Sequence, residues 1–200
     1  MVQLSSSMHD ALRIGMRAES LAMGMTECNL FARLNKDFVT EGSIDFAMLR
    51  VSCGPVAPVG FGAPVLDDNN VLTVSFERNP LHVLADSTDN VYLYLHCPEA
   101  GSGMLSAPMQ RRSGRISVAL PDEWRGMEIH VYGFVVDYHG WASESMYISL
   151  SEEDSVNTGD AEQTCCSPKL GELAAASRLT EECVNGGSSH SSVCPSGPPA

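Results

Sequence analysis

The sequence has little positive charge and no long hydrophobic run, and each absence excludes a class of protein. Its 200 residues hold 12 Lys and Arg against 25 Asp and Glu, a net charge of -13. So acidic a chain lacks the basic surface that nucleic acid requires, and we expect no nucleic-acid partner. No stretch reaches the roughly 18 apolar residues of a membrane span. The first residues also lack the basic and apolar regions of a secretory signal peptide, which makes a cytoplasmic location the default expectation.

Patterns that mark catalytic and metal sites are missing as well. The chain contains no Gly-x-Ser-x-Gly, Ser-x-x-Lys or His-Glu-x-x-His sequence, and its six histidines are scattered. Among seven cysteines the only close pair is Cys165 and Cys166, and adjacent thiolates chelate zinc poorly. We therefore predict no enzyme activity, no cofactor and no metal. Cys28, Cys53 and Cys97 lie on apolar segments and are predicted to be small buried side chains.

The first 43 residues have a helical periodicity. Apolar side chains recur at spacings of three and four between residues 7 and 38. Gly24 predicts a break, and Thr26 can cap a second helix that runs to about Asp37. The apolar stripe of this second helix needs a partner surface, and it consists of Leu30, Phe31, Leu34 and Phe38.

From residue 44 to residue 150 the periodicity changes to two, which is typical of β-strands. Turn residues separate the apolar runs at fairly regular intervals, whereas Gly60–Pro64 is predicted to be a turn-rich linker. Seven short strands without intervening helices predict an immunoglobulin- or fibronectin-III-like antiparallel sandwich, a mainly β fold with an N-terminal helical segment. The strands are expected at 49–52, 71–76, 90–97, 104–106, 115–120, 128–137 and 145–150.

Residues 151–200 differ in composition from the rest of the chain. They contain eight acidic and two basic residues, no aromatic residue, and an end rich in Ser, Gly and Pro. Such a segment has little apolar surface to bury, so we predict a flexible acidic tail with one marginal helix after Ser167.

Several short motifs resemble a known family. They are Gly24-Met25-Thr26 in the helical segment, Leu49-Arg50-Val51-Ser52-Cys53-Gly54, His130-Val131-Tyr132 and Ser143-Glu144-Ser145-Met146-Tyr147. In this order, over roughly residues 22–150, they resemble domain of unknown function 6266, an uncharacterised family of gut Bacteroidetes proteins. The resemblance implies a small bacterial or phage-associated β-domain and assigns no catalytic residue.

Two of the predicted strands carry aromatic and histidine side chains on one face. If 90–97 and 128–137 are neighbours, Val91, Leu93 and Leu95 face the core together with Ile129, Val131 and Val135. The opposite face is our candidate interaction surface, since aromatic patches are typical of interfaces. The alternative is that the N-terminal helices cover it. This aromatic face consists of Tyr92, Tyr94, His96, His130, Tyr132 and Phe134.

The two tryptophans lie in predicted loops. Trp124 and Trp141 are expected to plug the open ends of the sandwich, and stacking on a sugar ring is the functional alternative. Together with His139 they form the candidate ligand-binding loops.

These observations favour two classes of function. The first is a non-enzymatic structural or protein-interaction module in a surface or phage-like assembly, which binds a protein partner or self-associates by strand addition through the aromatic face or an edge strand. The alternative is a module that binds carbohydrate or another small ligand through Trp124, His139 and Trp141.

Overall fold

A computed structural model describes residues 2–78 and 84–150, and these belong to one compact unit. The predicted acidic tail, its marginal helix and its cysteines lie outside the described residues. In the described part the N-terminal segment forms four α-helices. They are α1 (Val2–Ser7), α2 (His9–Gly15), α3 (Arg17–Ala22) and α4 (Glu27–Asn35).

The predicted break and cap of the helical segment are confirmed. Gly24 has a φ of 66°, a left-handed conformation that glycine adopts without steric cost and that ends the helical path. The hydroxyl of Thr26 accepts a hydrogen bond from the backbone N–H of Asn29 and so caps α4. No helix of the described residues is long and apolar enough to cross a membrane.

Within the described ranges, eight strands form two antiparallel sheets, which confirms the immunoglobulin- or fibronectin-III-like sandwich. The strands are β1 (Phe61–Leu66), β2 (Val71–Phe76), β3 (Asn90–Cys97), β4 (Ser102–Leu105), β5 (Met109–Gln110), β6 (Arg115–Ala119), β7 (His130–Val136) and β8 (Met146–Ile148). One sheet has the order β1-β2-β6, and the other has the order β4-β3-β7-β8, with β5 also paired to β3.

Two hydrophobic clusters lie on opposite sides of β3 and β7. The first fills the space between the sheets and contains the predicted inward set, including Val91, Leu93 and Val131. The second lies between the same two strands and the N-terminal helices. The second sheet is therefore a middle layer, with the other sheet on one face and the helices on the other.

The expected strand at 49–52 is wrong, because side chains rather than a neighbouring strand satisfy its backbone. The buried amide of Asn35 accepts a hydrogen bond from Arg50 N–H at 2.8 Å and donates to the Arg50 carbonyl at 3.0 Å. The hydroxyl of Ser145 accepts from Val51 N–H, and Ser52 donates to the Ser143 carbonyl. The segment belongs to no sheet.

The predicted linker at Gly60–Pro64 is also wrong, because β1 begins at Phe61. Its register is irregular between Phe61 and Pro64, and this hides the alternation on which a strand prediction depends. The ring of Phe61 lies over Gly133 of β7, where a β-carbon would be 2.2 Å from a ring carbon. Glycine at this position thus allows the two sheets to approach each other.

We predict that Asn35→Ala destabilises the whole unit. The substitution leaves the N–H and carbonyl of Arg50 without their partners, which costs about 2–4 kcal/mol of unfolding free energy. Urea denaturation followed by circular dichroism measures the change. Asn29→Ala, at an exposed position on the same helix, is the matched control and is expected to change little. Equal stability of the two variants would contradict the role of Asn35.

Candidate functional site

The aromatic face is not an accessible surface in this structure. The residues of β3 and β7 pair as expected, with Tyr92 opposite Phe134, Tyr94 opposite Tyr132 and His96 opposite His130. Five of these side chains are buried and Tyr92 is partly buried. The prediction of a free interaction surface at these six residues is therefore corrected, and the alternative of covering by the helices holds.

The N-terminal helices cover the aromatic face because their apolar side chains and the rings of that face remove each other from water. Leu12, Met16 and Phe31 are buried against it. Two buried tyrosines also bind the covering backbone: the Tyr94 hydroxyl donates to the Ser7 carbonyl, and the Tyr132 hydroxyl donates to the Phe46 carbonyl at 2.7 Å. Burial raises the pKa of both tyrosines, so their hydroxyls stay protonated donors.

The structure separates the two tryptophans of the candidate ligand loops. Trp124 is 2% exposed and packs in the cluster between the sheets, so the plug role holds and its ring is not available to a sugar. Trp141 is half-buried, and it lies with His139 in a cleft of about 410 Å³. Two of the three predicted ligand residues therefore come together.

This loop cleft forms where the turn after β7 meets the segment before β3. It is the best candidate site of the described residues because it combines a concave shape with exposed rings. Its lining consists of Pro55, Val56, Leu84, Ala85, Asp86, Asp89, Asp137, Tyr138, His139 and Trp141.

Asp137 shapes the aromatic wall of the loop cleft. One carboxylate oxygen accepts hydrogen bonds from the backbone N–H groups of His139 and Trp141, at 2.9 and 2.8 Å. This turn holds Tyr138 outward, 82% exposed, with its ring centroid 3.7 Å from that of His139. The wall therefore presents an aromatic edge to solvent on a hydrogen-bonded turn.

The opposite wall is acidic and is held by a second turn. The carboxylate of Asp86 accepts hydrogen bonds from the hydroxyl and the N–H of Thr88, and these bonds lower the pKa of Asp86. Asp89 accepts from the N–H of Asp86 at 2.8 Å, which ties the two acidic residues together. Neither aspartate is predicted as a site residue from the sequence, although Asp86-Ser87-Thr88-Asp89 is a turn signal.

A buried arginine pairs with Asp89, one of the carboxylates that line the loop cleft. Arg111 is fully buried and donates from one guanidinium nitrogen to the Ala57 carbonyl at 2.7 Å and to Asp89 at 3.2 Å. The backbone N–H of Arg111 also donates to the Asp89 carbonyl. The ion pair thus fixes the segment before β3 relative to the rest of the sandwich.

The charge of the lining limits what can bind. Three carboxylates and no Lys or Arg line the loop cleft, and the guanidinium of Arg111 is paired with one of the carboxylates. An anionic ligand would be repelled, whereas a neutral or cationic one would not. Within residues 2–78 and 84–150, no group of three His, Cys, Asp or Glu side chains could hold a metal ion.

The three cysteines of the described residues differ in environment. Cys97 is buried as predicted, Cys53 is half-buried, and Cys28 is exposed on α4, so the prediction of burial is wrong for Cys28. Cys28 lies on the solvent side of α4, whereas the buried apolar side chains of this helix are those of Leu30 and Phe31.

We predict that Cys53 is nearly inert to alkylation. Burial raises its pKa to about 11, so at pH 8 the thiolate fraction is about 100-fold below that of an ordinary thiol. Iodoacetamide labelling of the folded protein, read peptide by peptide by mass spectrometry, should modify Cys28 long before Cys53. Equal labelling rates would contradict the burial of Cys53.

We predict that Arg111→Ala destabilises the protein by about 3–5 kcal/mol, because it leaves the Asp89 carboxylate buried without its counter-charge. Thermal or urea unfolding measures the loss. The exposed neighbour provides the control, since Arg112→Ala removes an equal charge without uncovering a buried one. A similar loss in both variants would exclude a special role for the ion pair.

Comparison with known proteins shows a likeness of fold to solved structures and no match to a known family. No protein-family model matches the chain, so the resemblance to domain of unknown function 6266 stays a prediction. No curated protein matches either. Among solved structures, the chain is similar to the fn3 domain of the human collagen alpha-1(XX) chain, at 16% identity and a TM-score of 0.34, over 50% of this chain and 93% of that one. The fold assignment therefore rests on the strand pairing described above.

Proposed function

We propose that this protein is a non-enzymatic binding module and that the loop cleft is its binding surface. The observation that carries the proposal is the exposed ring of Tyr138 beside Trp141 in a concave site. Aromatic side chains are enriched at binding sites because they bury a large area and lose little conformational entropy. A ring held 82% exposed by a hydrogen-bonded turn has no packing role in the fold.

The position of the loop cleft in the sandwich supports the same function. One wall is the connection between β7 and β8, and the other belongs to the connection between β2 and β3. In this architecture the corresponding connections meet at one end of the sandwich, and variable immunoglobulin domains bind their ligands there. Such loops can vary without disturbing the two sheets that support them.

The chemistry of the lining favours a protein segment with a basic side chain as the partner. A Lys or Arg side chain could place its charge between Asp86 and Asp137 and its stem against the rings of Tyr138 and Trp141. A neutral saccharide is the second candidate, since rings and carboxylates together suit its apolar faces and its hydroxyl groups.

Strand addition at the β1 edge is less well supported than binding at the loop cleft. Strand β1 is one edge of its sheet, but it contains Pro64, which has no N–H to donate, and its register is irregular. Both features protect an edge from pairing with another chain. In a surface or phage-like assembly of the kind that the family resemblance implies, we expect the contacts to be made through the loop end.

Selection of peptides on the immobilised protein tests the proposal. From a random 12-residue phage-display library we expect enrichment of peptides that contain Lys or Arg. Their affinity should fall about tenfold or more on Tyr138→Ala, because the variant removes a ring worth about 1.4 kcal/mol of contact. Val65→Ala is the matched control, since Val65 is an exposed apolar side chain outside the loop cleft.

The saccharide candidate is tested in parallel with chitotriose and maltotriose. Because Trp124 is buried, a change in tryptophan fluorescence on adding either sugar reports on Trp141. A sugar response that Tyr138→Ala removes would replace the peptide proposal. If neither peptides nor sugars distinguish the wild type from Tyr138→Ala, the loop cleft is not a binding site.

A further inference from the structure

Two histidines face each other at the end of β3 and β7 that lies away from the loop cleft. His96 pairs with His130 in the register of the two strands, whereas the cleft lies next to the pair of Asn90 and Val136. His96 is 4% exposed and His130 is 6% exposed. The proposed binding function uses neither of them.

The N-terminal cover, defined here as residues 2–48, closes over this pair with Phe46. The ring of Phe46 stacks on His130 at a centroid distance of 4.1 Å and an angle of 13°, and it lies 5.5 Å from His96. The carbonyl of Phe46 accepts the hydrogen bond from Tyr132. The same residue thus covers both imidazoles and anchors the cover to the aromatic face.

The surroundings of the two histidines offer few hydrogen-bond acceptors to a protonated imidazole. His130 Nδ1 lies 3.0 Å from the Tyr147 hydroxyl, while its Nε2 is buried without a hydrogen-bond partner. His96 Nδ1 is 3.5 Å from the Tyr94 hydroxyl, the limit of a hydrogen bond, and a hydrogen bond with the Ser102 backbone raises the pKa of His96 by less than burial lowers it. A charge on either ring would be buried beside an aromatic ring and beside the other histidine.

Acidic side chains near the two histidines stabilise a protonated imidazole only weakly. Glu128 approaches His130 Nε2 at 3.7 Å, but its side chain is 72% exposed and solvated. Asp45, next to Phe46, and Asp10 of α2 act on the neighbouring tyrosines rather than on the imidazoles. Burial therefore lowers the pKa of both histidines, that of His96 to about 4.

We propose that protonation of His96 and His130 at mildly acidic pH releases the N-terminal cover and uncovers the aromatic face while the sandwich stays folded. The released state exposes both imidazoles to water, where each binds a proton at its ordinary pKa of about 6.5. Because the closed state binds these protons more weakly, acidification favours the open state. The shift begins as the pH falls below 6.5 and continues toward the pKa of the closed state.

Release can be local because the cover and the sandwich have separate hydrophobic clusters. The cover packs on the outer face of β3 and β7, and the space between the sheets contains none of its residues. The ladder between β3 and β7 and that between β2 and β6 involve no hydrogen bond to the cover. Opening would therefore break the packing between the cover and the aromatic face and leave the packing between the two sheets intact.

Hydrogen exchange read by mass spectrometry tests the proposal on the intact protein. With a pKa near 4 in the closed state, His96 alone should raise the opening constant of the cover about 30-fold between pH 8 and pH 5, after correction for intrinsic exchange rates. The expected result is loss of protection in α2 and α4, with protection in β2 and β6 unchanged. Equal loss in all four elements means global unfolding and overturns the proposal, and so does no loss at all.

Variants assign the effect to the two histidines. The double variant His96→Gln and His130→Gln keeps polar groups that do not titrate, and we expect its cover to exchange equally at both pH values. His9→Gln is the matched control, because His9 lies on the cover with its side chain 58% exposed. If the His9 variant loses the acid response, or the double variant retains it, a different group controls release.

Discussion

Strands β3 and β7 are buried on both of their faces, and the rest of the structure depends on this constraint. Every residue of β7 is buried, and in β3 only Asn90 and Tyr92 are partly exposed. A strand with apolar side chains on both faces needs a layer on each side. The other sheet provides one layer and the N-terminal helices provide the second, so the helices complete the burial of both strands in the closed structure.

The sequence predicts those features that depend on local periodicity. Alternation in 90–97 identifies β3 and its two faces, and the combination of Gly24 with Thr26 locates the break and the cap of the helices. Prediction fails where distant groups decide the outcome. The segment at 49–52 has the composition of a strand, but Asn35 and Ser145 occupy its hydrogen bonds, and nothing near residue 50 reveals these partners.

The candidate site shows the same division between local and distant information. His139 and Trp141 are identified by their turn and their aromatic character, whereas Asp86 enters the loop cleft only because the topology brings two connections together. Exposure is equally hard to predict from composition, since Trp124 and Trp141 lie in similar loops but only Trp124 is fully buried. The pairing of residues on the aromatic face follows from alternation in the two strands, whereas its accessibility depends on a covering layer that is far away in the sequence.

The Asn35 bridge has a consequence for how the chain can be divided. The change from helical to strand periodicity suggests a boundary near residue 44. The side-chain amide of Asn35 in α4, however, makes the hydrogen bonds of the Arg50 N–H and carbonyl. A fragment starting at that boundary would present the rings of Tyr94, Tyr132 and Phe134 to water and leave two polar backbone groups unpaired. The smallest fragment that keeps the aromatic face covered and the Arg50 backbone paired therefore includes α4 together with the sandwich.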